Sequence, residues 1–180
     1  MMSAVPFRRL RRRCEARLAT LPLPASFTAE ALCTQVAAQR GRPIRLVPMT
    51  RSSDVRGMWV SAADSDIIFY DQATTFPHQQ HIILHELSHL LCDHYPSGLT
   101  GPDQWRHLLP DLDPQMVHRV LGRTTYTEVE EQEAELLASL IQARAGRLAA
   151  LEVAAETNAL TGRIKALLDW SGSSRPEPPS

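Results

Sequence analysis

The chain has a single lysine, Lys165, among many arginines, and aromatic residues make up only 6% of it. That arginine preference points to a GC-rich genome more than to a function. A formal net charge of −1 gives no global reason to expect nucleic acid or an acidic surface as partner. Cysteine is scarce. Cys14, Cys33 and Cys92 are odd in number and lack CxxC spacing, which argues against a disulfide framework and fits reduced thiols in a cytoplasm. No run of 18 apolar residues occurs, so no membrane span is expected. The basic stretch Arg8-Arg9-Leu10-Arg11-Arg12-Arg13 is followed by Cys14-Glu15-Ala16-Arg17 rather than an apolar h-region, so a signal peptide is not expected either. The cluster reads as a solvated helix face or an N-terminal arm, with contact to nucleic acid or membrane as the sharper alternative. Internal repeats are absent.

At 180 residues, one domain with a real core is the natural expectation. Residues 1–24 read as a basic helix or arm, 25–170 as the domain, and 171–180 as a disordered tail. Thr28 to Arg40 reads as a helix, with Thr28 as cap and Gly41 at the C-terminal left-handed position. Pro43 to Pro48 alternates as a short strand. A hairpin follows, with arms Gly57–Val60 and Asp66–Tyr70 around the turn Ser61–Ser65. Residues 93–125 form a long Pro-, Gly- and Asp-rich insert that can serve as a lid. Within it, Asp113, Pro114 and Gly122 bracket a short helix. Thr127-Glu128-Val129-Glu130 is a capping box that opens a helix to about Ala145, stopped by Gly146, with one or two further helices over 147–170.

One stretch carries chemistry: Phe76 to His94, FPHQQHIILHELSHLLCDH. At its centre, His85-Glu86-Leu87-Ser88-His89 is an HExxH pattern. On a helix, positions i and i+4 share a face, so His85 and His89 can grip one divalent metal with Glu86 beside it as a base. At about 100° per residue, His78, Ile82, His85, His89 and Cys92 fall on one side. Ile83, Leu84, Leu87, Leu90 and Leu91 fall on the other. Thr75 and Pro77 supply a start, and Tyr95-Pro96-Ser97-Gly98 a stop. The bland reading is an ordinary amphipathic helix. For His78 a solvent or supporting role outweighs ligation, and for Cys92 a buried inert thiol is the default.

A catalytic zinc site takes three protein ligands and keeps one position open. The helix after Thr127 offers Glu128, Glu130, Glu131, Glu133 and Glu135. Val129, Leu136, Leu140 and Arg144 define its core-facing stripe, and Glu133 falls inside that stripe. A carboxylate on an apolar face is costly unless paired or metal-bound, so Glu133 is the expected third ligand. The alternative pairs it with an arginine such as Arg144 or Arg147.

Together, Ile67-Ile68-Phe69-Tyr70-Asp71, the HExxH run through Leu91, and Glu131-Gln132-Glu133-Ala134-Glu135-Leu136-Leu137-Ala138 resemble the ImmA/IrrE family of zincin-type metallopeptidases. The resemblance covers about residues 25 to 145. It implies an α+β fold, a small zincin-like domain. A short, mainly antiparallel sheet of about three strands would pack on the HExxH helix and a second, glutamate-bearing helix, with helices flanking at both ends. It implies one Zn²⁺ on His85, His89 and Glu133, the last matching the glutamate before alanine in the family's E-x-E-A motif. It also implies a cytoplasmic endopeptidase acting on a protein substrate, a helix-turn-helix repressor encoded nearby. Direct binding to nucleic acid or membrane is not expected. The chain departs from the pattern in a longer interval between His89 and Glu133.

In the expected mechanism, Glu86 takes a proton from the attacking water and passes it to the leaving nitrogen. Tyr70, His94, His118 and Tyr126, with Tyr95, are candidates for substrate binding or for the second oxyanion donor. The strand Ile67–Tyr70 is expected to offer a sheet edge to an extended substrate. A rival reading makes zinc structural and the protein a regulator that docks on a transcription factor. A third, a DNA-associated zincin repairing crosslinks, wants a stronger basic surface than this chain offers.

Overall fold

Alternation in two short apolar runs builds the centre of the molecule. In the computed structural model, strands β2 (Gly57–Ala62) and β3 (Asp66–Asp71) pair antiparallel, Trp59 opposite Ile68 and Val60 opposite Ile67. Trp59 and Ile68 face the main core, while Met58, Val60, Ala62, Ile67 and Phe69 form a second apolar cluster. The Trp59 indole N–H donates to Asp66 Oδ1 at 3.3 Å, tying the arms of the hairpin, and Arg42 holds the other oxygen of Asp66 at 3.2 Å. The structure describes residues 7–23, 27–49, 56–62, 64–94, 117–121 and 126–172, and the side chains of all these except 117–121 and 166–172.

Strand β1 (Ile44–Met49) adds parallel to β3, and β4 (Val117–Leu121) adds antiparallel to β2, giving a four-stranded mixed sheet of order β1-β3-β2-β4. Two expectations are corrected here. Residues 117–121 are a strand, not the second half of a short helix; pairing with β2 outweighs the Pro and Gly punctuation around them. β3 is an inner strand with both edges occupied, so it cannot accept an extended substrate; the outer strands are β1 and β4. The rest of the expected 93–125 lid, Tyr95 with it, lies outside the described residues except for Asp93 and His94, as does the tail beyond Gly172.

Among the described residues there are four helices, two packed on the sheet and two packed outside them. α1 (Phe7–Thr20) buries Leu10, Cys14 and Leu18. Arg17 donates to the Leu91 carbonyl and Arg144 to the Leu18 carbonyl, so the C-terminal turn of α1 is fastened to the domain rather than hanging as an arm. α2 (Ala29–Arg40) starts at Thr28, whose side chain accepts from the Ala31 N–H, and ends at Gly41 in the left-handed conformation, φ 64°. α3 (Phe76–Leu91) is the HExxH helix, entered through Thr75 and Pro77. Every residue from Ile82 to Leu90 is buried, so the ligand face is covered as well as the apolar one. α4 (Glu128–Gly172) opens with the capping box: Glu130 N–H donates to Thr127 Oγ1 at 3.3 Å, and Thr127 N–H to Glu130 Oε2 at 2.8 Å. It runs unbroken through Gly146, correcting the expected stop. A helical glycine costs only about 1 kcal/mol relative to alanine, and α4 continues for several turns on either side.

Candidate metal centre

α3 ends abruptly, and the way it ends matters. Cys92 N–H donates to the Ser88 carbonyl and His94 N–H to the His89 carbonyl at 3.1 Å, with Asp93 left-handed at φ 53°. Asp is among the few non-glycine residues that tolerate that region. The reversal folds His94 back under the helix, where its Nδ1 lies 3.1 Å from His89 Nδ1.

On the other side of His89, its Nε2 lies 3.1 Å from His85 Nε2. Glu131 Oε2 of α4 completes the cluster, 3.3 Å from His85 Nε2 and 3.8 Å from His89 Nε2. Ala134 and Ala138, both fully buried, let α4 come close enough to α3 for this contact. Three donors held by zinc at about 2.0–2.2 Å in tetrahedral array stand about 3.3 Å from one another. The observed separations lie about that value, and the donor set of two imidazoles and a carboxylate suits zinc. The residues present therefore fit one ion.

Glu133 is buried, as its place in the apolar stripe requires, but it does not face the histidine pair. Its Oε2 takes a 2.9 Å ion pair from Arg13 Nη2 and lies 3.4 Å from His94 Nε2. The reason is rotational. Residues 131 and 133 point to nearly opposite sides of α4, and the Glu131 side is the one laid against His85. Burial signalled pairing with an arginine, and the arginine comes from α1 rather than from Arg144 or Arg147. The missed signal was the small and polar face Glu131, Ala134, Glu135, Ala138 and Gln142 at helical spacing. Glu135 and Gln142 on that face meet His81 of α3 at 3.1 and 3.4 Å.

Comparison with family models, curated proteins and solved structures gives no match. The site is therefore argued on its own geometry.

Glu86 is 2% exposed and lies against the first residue of β2. A Cβ placed on Gly57 would sit 2.7 Å from Glu86 Oε1 and 2.6 Å from Ile82 Cγ2. Only glycine lets the strand pass so close to that carboxylate. For the zinc-dependent hydrolysis proposed below, Gly57→Ala is expected to displace Glu86 while leaving His85, His89 and Glu131 alone, cutting turnover by about 100-fold for a shift near 1 Å. Zinc content measured beside the rate checks this; an unchanged rate contradicts it.

Of the other candidates, Tyr126 is at the site. Its ring stacks on His89, centroids 3.7 Å apart and planes 13° from parallel. Its hydroxyl is buried with no hydrogen-bond partner among the described residues. Burial first, then the charges of Glu86 and Glu131, push the phenol pKa far above its ordinary value, so it stays a proton donor. His94 lies behind His89, on the side opposite His85. Tyr70 packs against the main core instead of reaching the histidines. The His118 side chain lies outside the described residues. His78 is half-buried with no metal-type partner among them. Cys92 is a buried thiol whose pKa is pushed up to about 12 by desolvation and then by Glu133. Cys14 and Cys33 are likewise buried, with pKa raised to about 11 and about 12.

Burial pulls the pKa of His89 below the ordinary imidazole value, and that of His94 likewise. The imidazoles beside it, His85 first and then His89, hold the Glu131 carboxyl well below the usual carboxylate range. In the zinc-free protein, the unfolded chain takes up protons at His89 and His94 near pH 6.5 that the folded chain takes up only at lower pH. Stability is thus expected to be retained above about pH 6.5 and to fall as the pH drops below it. The contribution of Glu131 goes later, as the pH falls below about 4.3 toward its folded value. Thermal melts of zinc-free protein across that range check the sign. A melting temperature that rises between about pH 7 and 5.5 contradicts it.

Proposed function

We propose that the protein is a zinc-dependent peptidase of the ImmA/IrrE type, with His85, His89 and Glu131 as the protein ligands. The observation that carries the reading is the set of 3.1, 3.3 and 3.8 Å separations among His85 Nε2, His89 Nε2 and Glu131 Oε2. The α+β fold, with the HExxH helix against a mixed sheet, supports it. So does Glu86, which a purely structural site would not need.

Zinc held by these three donors supplies Lewis acidity that brings the ionisation of water toward neutral pH. Glu86 accepts the proton of the attacking water and delivers it to the departing amide nitrogen. Tyr126, kept protonated, donates a hydrogen bond to the carbonyl oxygen as negative charge develops there. Access runs along a groove of about 690 Å³ between α1 and α4, lined by Phe7, Leu10, His85, Glu131, Glu135 and Leu136. Its mixed apolar and acidic walls suit a peptide segment better than a phosphate backbone. No helix among the described residues is long and apolar enough to cross a membrane.

The family resemblance makes a helix-turn-helix repressor encoded nearby the substrate to try. Purified zinc-loaded protein is incubated with that repressor, with Glu86→Gln in parallel, and the products are read by mass spectrometry. Fragments with wild type and none with Glu86→Gln are expected. Inactivation of the repressor without any cut, equally by both proteins, replaces the peptidase with the docking regulator.

A further inference from the structure

Behind the three donors lies a second buried group, Cys92, His94 and Glu133, whose ligand-type atoms also converge. It invites a second metal, and counting protons shows otherwise. Both His89 and His94 have Nδ1 committed to the same 3.1 Å contact. One hydrogen fits between those two nitrogens. If both imidazoles bound metal through Nε2, each would carry a proton on Nδ1, and two hydrogens would face each other. The two groups cannot be filled together.

The chain of contacts has one direction that gives every contact in it a donor and an acceptor. Arg13 Nη2 donates to Glu133 Oε2 at 2.9 Å, and a carboxylate so paired only accepts. His94 Nε2, 3.4 Å from the same oxygen, must therefore carry its hydrogen. Neutral His94 then presents a lone pair at Nδ1, so His89 Nδ1 donates to it. Neutral His89 is left with its lone pair on Nε2, aimed at His85 and Glu131. We propose that Arg13, Glu133 and His94 form a positioning relay that presets His89 as a metal ligand, which makes α1 part of the metal centre. The proposal rests on the zinc site proposed above.

The relay uses one arginine of the basic stretch on α1 and gives it a task unrelated to nucleic acid. It also accounts for a charged residue buried in the apolar stripe of α4: Glu133 holds the tautomer of His94 and does not touch the ion. Partners of this outer kind are worth about 10–100-fold in metal affinity.

Zinc affinity is measured by competition with a chromophoric chelator, together with melting temperatures of zinc-free and zinc-loaded protein. Expected are one zinc per wild-type chain, affinity about 10–100-fold weaker in His94→Phe, Glu133→Gln and Arg13→Ala, and recovery in Arg13→Lys. A merely structural role would lower the zinc-free melting temperature and leave affinity unchanged. Arg13 is half-exposed, so its variants remain foldable if the buried ones are not. Wild-type affinity in folded Arg13→Ala and His94→Phe overturns the relay and leaves the zinc site standing. Complete loss of zinc in Glu133→Gln beside full affinity in His94→Phe also overturns it, by making Glu133 a ligand. A second zinc per chain breaks the proton count. A wild-type chain that binds no zinc overturns the site itself, and the relay with it.

Discussion

Replacing Glu86 by Gln is expected to leave zinc bound and to reduce peptide cleavage by about 10²–10⁴-fold, the usual worth of a positioned general base. Glutamine has nearly the shape of glutamate, so the tight fit against Gly57 and Ile82 survives. What changes is basicity, because an amide oxygen cannot carry a proton from water to a leaving nitrogen. The donor set His85, His89 and Glu131 is untouched, and zinc per chain should stay at the wild-type value. Rate, zinc content and melting temperature measured on one preparation separate the possibilities. A wild-type rate removes Glu86 as the base. Loss of zinc moves it into the metal shell.

Much of this was legible in the chain. The hairpin of β2 and β3, the existence of strand β1 though not its parallel pairing, the caps at Thr28, Gly41 and Thr127, and the course of α3 all follow local patterns that tertiary packing reinforces. Harder to read was anything that depends on how two elements cross. Periodicity placed Glu133 on the buried side of α4, and buried it is, at 1% exposure. That a buried glutamate is a ligand does not follow from burial. Which face of α4 meets His85 is decided by the close approach at Ala134 and Ala138, and that face carries Glu131. Nothing local in Arg13 distinguishes it from Arg8, Arg9, Arg11 and Arg12. Only the docking of α1 on α4 brings it within 2.9 Å of Glu133. β4 is similar: Asp113-Pro114 and Gly122 look like helix punctuation, and a partner strand far away in sequence overrides it.

Glu131→Gln is the substitution with the sharpest expected effect on metal. A neutral amide in place of a carboxylate removes one of three protein ligands and the only negative charge among them. Zinc affinity should fall further than the roughly 10–100-fold expected for an outer partner, and cleavage should fall with it. Added zinc should restore activity only in part. The zinc-free fold should be little affected, because Glu131 is about a third exposed and its ion pairs with His85 and His89 are partly screened by solvent. The comparison with Glu133→Gln is the decisive one. If Glu131 is the ligand, Glu131→Gln loses zinc outright and Glu133→Gln loses it by degrees. The reverse order would return the third position to Glu133, and would require α4 to turn by about half a revolution or α1 to release its arginine before metal binds. Competition titrations on the two variants, run beside the wild type at one pH, decide between them, because the contrast lies in their order and not in the absolute affinity.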